Sequence, residues 1–115
     1  MAIYSKIPLS GSTNGRGIAV SASATPGTLI HTATSSTTYE DEVWIYAMNT
    51  TTTAVKLTIE FGGTSTSDQI EITIAAEAGL VLIAPGLVLQ NSLVVRAFAG
   101  TANVINIFGY VNRVS

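Results

Sequence analysis

His31, the only histidine in the chain, is the first side chain to consider for chemistry, because imidazole exchanges protons near neutral pH. A hydrolase of the Ser-His-Asp type would need this ring beside a serine and a carboxylate, with donors for an oxyanion. The surrounding sequence, Leu29-Ile-His-Thr-Ala33, gives no sign of such a site, and no serine lies in a Gly-x-Ser-x-Gly turn. We expect His31 to be a strand residue with a hydrogen-bonded or exposed ring, and the chain not to be an enzyme.

An acidic run, Glu40-Asp41-Glu42, is the one dense cluster of charge. Hard cations such as Ca²⁺ bind several oxygen ligands, and adjacent carboxylates could supply some of them. Neighbouring residues of a strand point to opposite faces, so only Glu40 and Glu42 could share an ion. The spacing fits no EF-hand loop, and a solvated acidic loop is the other interpretation. The Gly-rich segment 11–17 lacks the Lys-Ser/Thr of a phosphate-binding loop, and we expect no cofactor.

Aromatic residues near the middle of the chain suggest a third kind of chemistry, the stacking of a sugar on a ring with polar groups fixing its hydroxyls. Trp44 and Tyr46 have the same strand parity, so they stand on one face, and Tyr39 and Asn49 are close in sequence. That face could equally belong to the core or to an interface. A glycan is therefore an alternative partner.

The composition excludes several classes of protein. The chain has 115 residues with a net charge of −2, and charged residues make up 10% of it, far below the roughly 25% typical of soluble domains. Five dispersed Lys and Arg form no basic stripe, so we expect no nucleic-acid partner. The absence of Cys excludes disulfides and thiolate metal sites. We expect one domain, neither Sec-type export nor a membrane span, and a surface that is unusually poor in charge.

Two-residue apolar alternation recurs along the chain, whereas sustained helical spacing does not, so the sequence predicts an all-β fold. The runs Val55–Phe61 and Gln69–Ile74 alternate most clearly and predict a hairpin. About eight strands at short intervals favour a single-domain antiparallel β-sandwich, jelly-roll-like, over residues 18–115. The predicted strands are Ile18–Ser23, Thr28–Ala33, Val43–Asn49, Ala54–Phe61, Gln69–Ile74, Leu80–Ala84, Leu93–Ala99 and Asn103–Val111, with Pro85-Gly86 as a turn.

Several of these strands are apolar on both faces, although a two-sheet sandwich covers only one face of each sheet. A subunit interface would supply the second cover, and we expect it to include Trp44, Tyr46 and Phe108, with Val81 and Ile83 as further candidates. The alternative is that loops fold over these faces, or that the residues are ordinary exposed apolar side chains. Arg96 and Arg113 interrupt apolar strands and fit either intersubunit ion pairs, with Glu60, Glu71 or Glu77 as partners, or exposed positions.

Residues 1–17 differ in character from the rest, because apolar side chains are followed by a flexible Gly/Ser segment. We interpret this stretch as an extended N-terminal arm whose side chains contact a partner. The expected contacts are Ile3, Tyr4, Ile7 and Leu9. The alternative is an arm that folds back as an edge strand of its own domain.

Five segments of the chain carry a resemblance to a known family. They are Thr58-Ile-Glu-Phe-Gly-Gly63, Asp68-Gln-Ile-Glu-Ile-Thr-Ile74, Gly79-Leu-Val-Leu-Ile-Ala-Pro-Gly86, Leu93-Val-Val-Arg-Ala-Phe-Ala99 and Asn103-Val-Ile-Asn-Ile-Phe-Gly-Tyr-Val-Asn-Arg113. In the overall style of these segments the chain resembles capsid decoration, or cement, proteins of tailed bacteriophages. The resemblance covers roughly the C-terminal half, and it implies a compact β-domain, often a trimer, bound outside the major capsid protein. It therefore implies a non-enzymatic virion protein on the outer capsid surface, made in the bacterial host cytoplasm. A carbohydrate- or receptor-binding β-sandwich of a phage tail or fibre is the alternative.

Overall fold

Two antiparallel β-sheets pack face to face in the computed structural model, which describes residues 3–115. The predicted all-β sandwich is confirmed. All eight predicted strands are present, seven of them with shifted bounds, and a ninth lies near the N-terminus. The strands are β1 (Tyr4–Pro8), β2 (Ile18–Ala19), β3 (Thr28–Thr32), β4 (Asp41–Asn49), β5 (Val55–Phe61), β6 (Gln69–Ile74), β7 (Val81–Leu89), β8 (Val94–Ala99) and β9 (Ile105–Val114).

The strand order brings distant parts of the chain together. One sheet has the order β1-β9-β4-β7, with β2 also paired to β9, and the other has the order β3-β8-β5-β6. Strands β5 and β6 form the predicted hairpin, joined through a 3-10 turn at Thr66–Asp68. Every other connection crosses between the sheets, except that from β1 to β2. Most neighbours within a sheet are therefore far apart in sequence.

The core lies between the sheets and follows directly from the alternation of side chains. On β4, every second residue from Asp41 to Asn49 is buried, and the residues between them face outward. Strands β5, β8 and β9 contribute inward-facing aliphatic residues in the same way. The completely buried members are largely β-branched, which suits a pleated surface. They include Val43, Ile45, Leu57, Ile59, Val95, Ile105, Ile107 and Val111.

Pro85-Gly86 is a bulge and not the predicted turn. Strand β7 continues through it to Leu89, and the register against β4 shifts on either side of Trp44-Ile45. Gly86 has a φ of +77°, a left-handed conformation that costs a glycine little. Proline is tolerated here because β7 is the edge of its sheet, where no further strand needs its missing N–H.

The N-terminal segment belongs to the sandwich over the residues that the structure describes. Strand β1 pairs with β9, from Tyr4 opposite Val114 to Pro8 opposite Tyr110. Leu9, next along the chain, is only 2% exposed and lies in the core. The expected extended arm is therefore replaced from Tyr4 onwards by its alternative, an edge strand of the same domain, because the backbone pairs along β9 and Leu9 is buried in the core. Residues 1 and 2 lie outside the described residues.

Candidate functional site

Four aromatic side chains gather on the outer face of the five-stranded sheet. Trp44 on β4 lies opposite Tyr110 on β9, and Tyr46 lies opposite Phe108 in the next outward-facing pair. All four are half-buried, and they alternate with the inward-facing core residues of the same strands. We call this group, Trp44, Tyr46, Phe108 and Tyr110, the aromatic face. The expectation that Trp44 and Tyr46 share one face is confirmed, and that face is the outside of the sandwich.

A row of contacts runs across the sheet through this face. The rings of Trp44 and Tyr110 are stacked, with centroids 6.0 Å apart and planes 11° from parallel. The Lys6 ammonium on β1 lies 4.9 Å from the centroid of the Tyr110 ring, a cation–π distance. On the other side, a Cβ added to Gly86 of β7 would lie 3.0 Å from Cζ2 of Trp44. The row therefore links four of the five strands of this sheet, β1, β9, β4 and β7.

Glu42 completes the polar side of the aromatic face. The indole N–H of Trp44 donates to Glu42 Oε1 over 2.7 Å, and the Asn112 amide donates to the same oxygen over 3.0 Å. These two hydrogen bonds, the Trp44 bond foremost, lower the pKa of Glu42 below its ordinary value. A sugar site needs a free ring surface and free polar groups. Here the indole N–H and the carboxylate are already engaged with each other.

Part of the aromatic face is covered by the chain itself. A Cβ on Gly17, in the loop before β2, would lie 2.7 Å from Cζ of Phe108, so this loop touches the ring. Val81 and Ile83, the other candidates for a second cover, pack against the core at the sheet edge instead. Tyr39 lies in the loop before β4, and Asn49 is buried, with its amide donating to the carbonyls of Thr53 and Ile74. The structure therefore does not gather the four residues of the suggested sugar site.

The four expected partner contacts near the N-terminus differ in how far the fold buries them. Ile3 is 61% exposed and Tyr4 is 75% exposed, so both are available to a partner. Ile7 is half-buried against the core, and Leu9 is a core residue. The prediction for Leu9 is wrong because its side chain is covered by the chain's own sandwich.

A buried ionic cluster joins three strands, and its members were considered only separately in the sequence. The Asp41 carboxylate on β4 accepts two hydrogen bonds from the Arg113 guanidinium on β9, Nε to Oδ1 at 2.8 Å and Nη2 to Oδ2 at 2.9 Å. Nε2 of His31 on β3 lies 2.8 Å from Asp41 Oδ2, and the Thr34 N–H donates to the same oxygen. His31 and Asp41 are completely buried. The interpretation of Arg113 as an intersubunit or freely exposed cation is therefore wrong.

Ser10 adds a serine to this cluster, but not as a nucleophile. Its backbone N–H donates to Nδ1 of His31 over 3.0 Å, which assigns the ring proton to Nε2, facing Asp41. The Ser10 hydroxyl instead accepts the N–H of Thr32. A hydrolytic serine needs its hydroxyl on the imidazole and an accessible ring, and this ring is completely buried. The cluster fixes the loop after β1 to β3, β4 and β9.

The protonation states of the cluster follow from these contacts. Burial lowers the pKa of His31 despite the neighbouring carboxylate, so the ring is neutral. Burial alone would raise the pKa of Asp41, but hydrogen bonds from Arg113 and His31 outweigh burial and hold this pKa below its ordinary value. The Asp41 carboxylate in turn raises the pKa of Arg113. The cluster is thus an ionised Asp-Arg pair with a neutral histidine.

Acidification is expected to destabilise the fold, first through His31. Below its ordinary pKa of 6.5, the unfolded chain binds a proton at this ring that the folded chain does not bind. The contribution of Asp41 has the same sign and is lost below its ordinary pKa of 3.8. Urea unfolding followed by circular dichroism should give a lower free energy of unfolding at pH 5 than at pH 7. His31 is the only side chain that ordinarily titrates in that interval, so equal values would contradict the assignment.

The remaining acidic and basic residues of the described part of the chain form no cluster suited to a metal ion. Asp41 points inward and Glu42 outward, and within residues 3–115 no group of three or more His, Asp or Glu could hold a metal ion. Lys56 and Glu71 form an exposed ion pair of 2.7 Å. That pair borders a shallow groove of about 260 Å³ on the four-stranded sheet, below the size of most ligand pockets. Its other lining residues are Ser23, Thr58, Phe98 and Gly100.

Arg96 and Glu60 are also used within the protomer. They are register partners on β8 and β5, but the buried Glu60 carboxylate accepts the Thr25 hydroxyl at 2.5 Å and the Gly27 N–H at 2.7 Å. Arg96 donates to the Gly27 carbonyl over 3.3 Å. Glu60 and Arg96 thus hold the loop before β3 against its sheet, and the hydrogen bond of Arg96 is internal.

In the part of the chain that the structure describes, no helix is long and apolar enough to cross a membrane. No family model, no curated protein and no solved structure matches the chain.

Proposed function

We propose that this chain is a non-enzymatic virion protein that binds and stabilises a phage capsid as a decoration, or cement, protein. Its partners would be the major capsid protein and two further copies of itself, in a homotrimer on the outer capsid surface. The observation that carries the proposal is the aromatic face, a row of four large, half-buried side chains on the outer side of a sheet. A contiguous apolar surface that the chain covers only in part is typical of a protein interface.

The buried charges support an assembly role in a second way. Asp41, Arg113, His31 and Glu60 are engaged in contacts that hold loops and strands together. No buried side-chain polar atom among the described residues lacks a hydrogen-bond partner. Catalytic sites typically keep a group with a perturbed pKa accessible in a cleft. A cement protein needs a rigid domain and several simultaneous contacts, since each added contact raises the effective concentration of the next.

The strand order supports the jelly-roll component of the proposal. Apart from the β5–β6 hairpin and the short step from β1 to β2, the chain crosses between the sheets at every connection. Such interleaving is what two Greek keys in a double-sheet jelly roll require.

A carbohydrate- or receptor-binding domain of a phage tail or fibre remains the alternative. The engaged indole N–H of Trp44 and the engaged Glu42 carboxylate count against it. A glycan array with the purified protein distinguishes the two functions. Binding to a defined glycan that is lost in Trp44→Ala, with the solution mass unchanged, would favour the alternative.

Capsid binding is the direct test. The purified chain is mixed with empty capsids of the major capsid protein encoded in the same genome, and the mixture is sedimented. The proposal predicts saturable co-sedimentation and capsids that resist a higher temperature than undecorated ones. Capsids that neither retain the protein nor gain heat resistance would refute the proposed function.

The aromatic face should be needed for the trimer. Tyr46→Ala removes a large side chain from the centre of this face, where truncations cost most. We expect the protein concentration at half-assembly to rise at least about tenfold. For a trimer this is about a hundredfold fall in the association constant, or roughly 2.7 kcal/mol per trimer. Light scattering over a dilution series measures this change. The matched control is Phe98→Ala, which removes a half-buried ring from the other sheet, and an equal effect there would contradict the assignment.

A further inference from the structure

Exposed apolar side chains concentrate at two opposite edges of one sheet. Strand β1 is one edge of the five-stranded sheet and β7 is the other. Within residues 3–115, eight large apolar side chains are strongly exposed, and six of them lie at these two edges. They are Ile3 and Tyr4 at the β1 edge, and Leu80, Leu82, Leu87 and Val88 at the β7 edge.

The β7 edge is apolar on both sides of its sheet. Leu82 and Val88 lie opposite Tyr46 and Glu42 and face outward, whereas Leu87 lies opposite the inward-facing Val43. A partner resting on the outer face would cover only the first two. A strand beside β7 would contact both rows and would also meet the unpaired backbone groups of the edge. The occupant that fits this edge is therefore another strand edge.

Charge points to a neutral partner. No Asp, Glu, Lys or Arg occurs between Glu77 and Arg96, so β7 has no charge to oppose edge pairing, and its free edge is interrupted only at the Pro85-Gly86 bulge. The β1 edge matches it in this respect. Its one charged side chain, Lys6, extends over the Tyr110 ring of its own sheet.

We propose that the β7 edge of one copy of this chain packs against the β1 edge of the next, head to tail. A head-to-tail contact buries the exposed side chains of both edges, whereas β7 paired with a second β7 would leave Ile3 and Tyr4 exposed. Such contacts close into a ring when the rotation allows it, here with three members. The inference rests on the homotrimer of the proposed function, and it assigns Ile3 and Tyr4 to the neighbouring copy.

The head-to-tail contact also determines where the aromatic face lies in the trimer. When three copies are joined in this way, their five-stranded sheets form a closed ring. One face of each sheet then points toward the threefold axis. Turning the aromatic face inward buries Trp44 and Tyr46 together with the two edges, whereas turning it outward leaves them in water. Burial of apolar surface favours the first arrangement.

Single cysteines test the contact, since the native chain has none. Two variants, Tyr4→Cys and Leu82→Cys, are prepared separately, and one of them carries a size tag. They are mixed under conditions that allow subunit exchange, and the mixture is treated with a short bis-maleimide cross-linker. We expect a Tyr4–Leu82 cross-link in about tenfold excess over the yield with a Leu29→Cys control, because assembly raises the local concentration of the pair. Leu29 is 40% exposed and lies on the edge strand β3 of the other sheet, so it matches Leu82, which is 45% exposed. A chain carrying both Tyr4→Cys and Leu82→Cys should give a covalent trimer.

Three results would overturn the inference, and only the third also removes the homotrimer of the proposed function. A trimer by light scattering that cross-links only Leu82 to Leu82 would show a symmetric contact between two β7 edges. If Tyr4→Cys gave the same cross-linking yield with Leu82→Cys as with Leu29→Cys, the cross-links would come from random collisions. A wild-type chain that stays monomeric at high concentration would remove both the trimer and the ring contact, while capsid binding would still be read separately by sedimentation.

Discussion

Replacing Asp41 by Asn is expected to lower the free energy of unfolding by about 3–5 kcal/mol, the usual cost of removing one partner from a buried ion pair. The carboxylate accepts hydrogen bonds from His31, Arg113 and the Thr34 N–H, and it is completely buried. Asparagine keeps the shape, but it presents an amide donor to groups that are themselves donors. Because the Arg113 side chain is 34% exposed and keeps some hydration, we expect the lower end of this range.

Urea denaturation at pH 7 measures the change, and Glu71→Gln is the matched control. Glu71 makes an ion pair with Lys56 at 2.7 Å, but both side chains are largely exposed. Exposed pairs contribute about 0–1 kcal/mol, so this acid-to-amide change should be nearly silent. If Asp41→Asn unfolded at the same urea concentration as Glu71→Gln, the cluster would not be a structural element.

Gly109→Ala is expected to be nearly as damaging, for a steric reason. A Cβ at this position of β9 would overlap the backbone carbonyl of Trp44 on β4, the strand with which it pairs. The obstacle is backbone in two central strands, so it cannot be relieved by turning a side chain. Overpacking typically costs about 1–3 kcal/mol and sometimes more, and we expect about 3 kcal/mol here.

Gly100→Ala provides the comparison for this substitution. The nearest heavy atom to a Cβ at Gly100 is the Lys56 carbonyl oxygen at 4.0 Å, so there is room for a methyl group. Thermal unfolding of both variants should give a large drop in Tm for Gly109→Ala and little change for Gly100→Ala. Similar Tm values for the two variants would show that β4 and β9 can separate without cost. That outcome would also weaken the assignment of the aromatic face, which depends on their register.

Both predictions concern the link between β4 and β9, the two central strands that carry the aromatic face. Asp41 and Arg113 fix one end of this strand pair, and Gly109 allows close approach in its middle. Trp44 and Tyr110 meet on the outer face only because the register between them is exact. The stability of the sandwich and the arrangement of its proposed interface therefore both depend on the pairing of β4 with β9.

The alternation of apolar residues was sufficient to predict the all-β class and the approximate positions of eight of the nine strands. The runs Val55–Phe61 and Gln69–Ile74 became β5 and β6 because a period of two can bury only one face of an extended strand. The same parity placed Trp44 and Tyr46 together. The Pro85-Gly86 step was misassigned as a turn, since an edge strand tolerates a bulge that a central strand would not.

The N-terminal segment shows the limit of such patterns. Whether Tyr4–Pro8 pairs with its own domain or with a partner depends on whether β9 has a free side, and that is a property of strand order. Residues 4–8 have no long alternation of their own to decide it. The sequence left both possibilities open, and the structure places the strand beside β9 in the same chain.

The sequence by itself determined that this protein is an all-β domain, poor in charge, with more apolar surface than two facing sheets can bury. Those are properties of composition and local periodicity, which are set by each residue and its near neighbours. Only the tertiary structure decided that Ser10, His31, Asp41 and Arg113 meet in one buried cluster, and that the exposed apolar side chains lie at opposite edges of one sheet. The cluster residues come from β3, β4, β9 and the loop after β1. They meet because the chain crosses repeatedly between the two sheets, and no local pattern in the sequence shows this strand order.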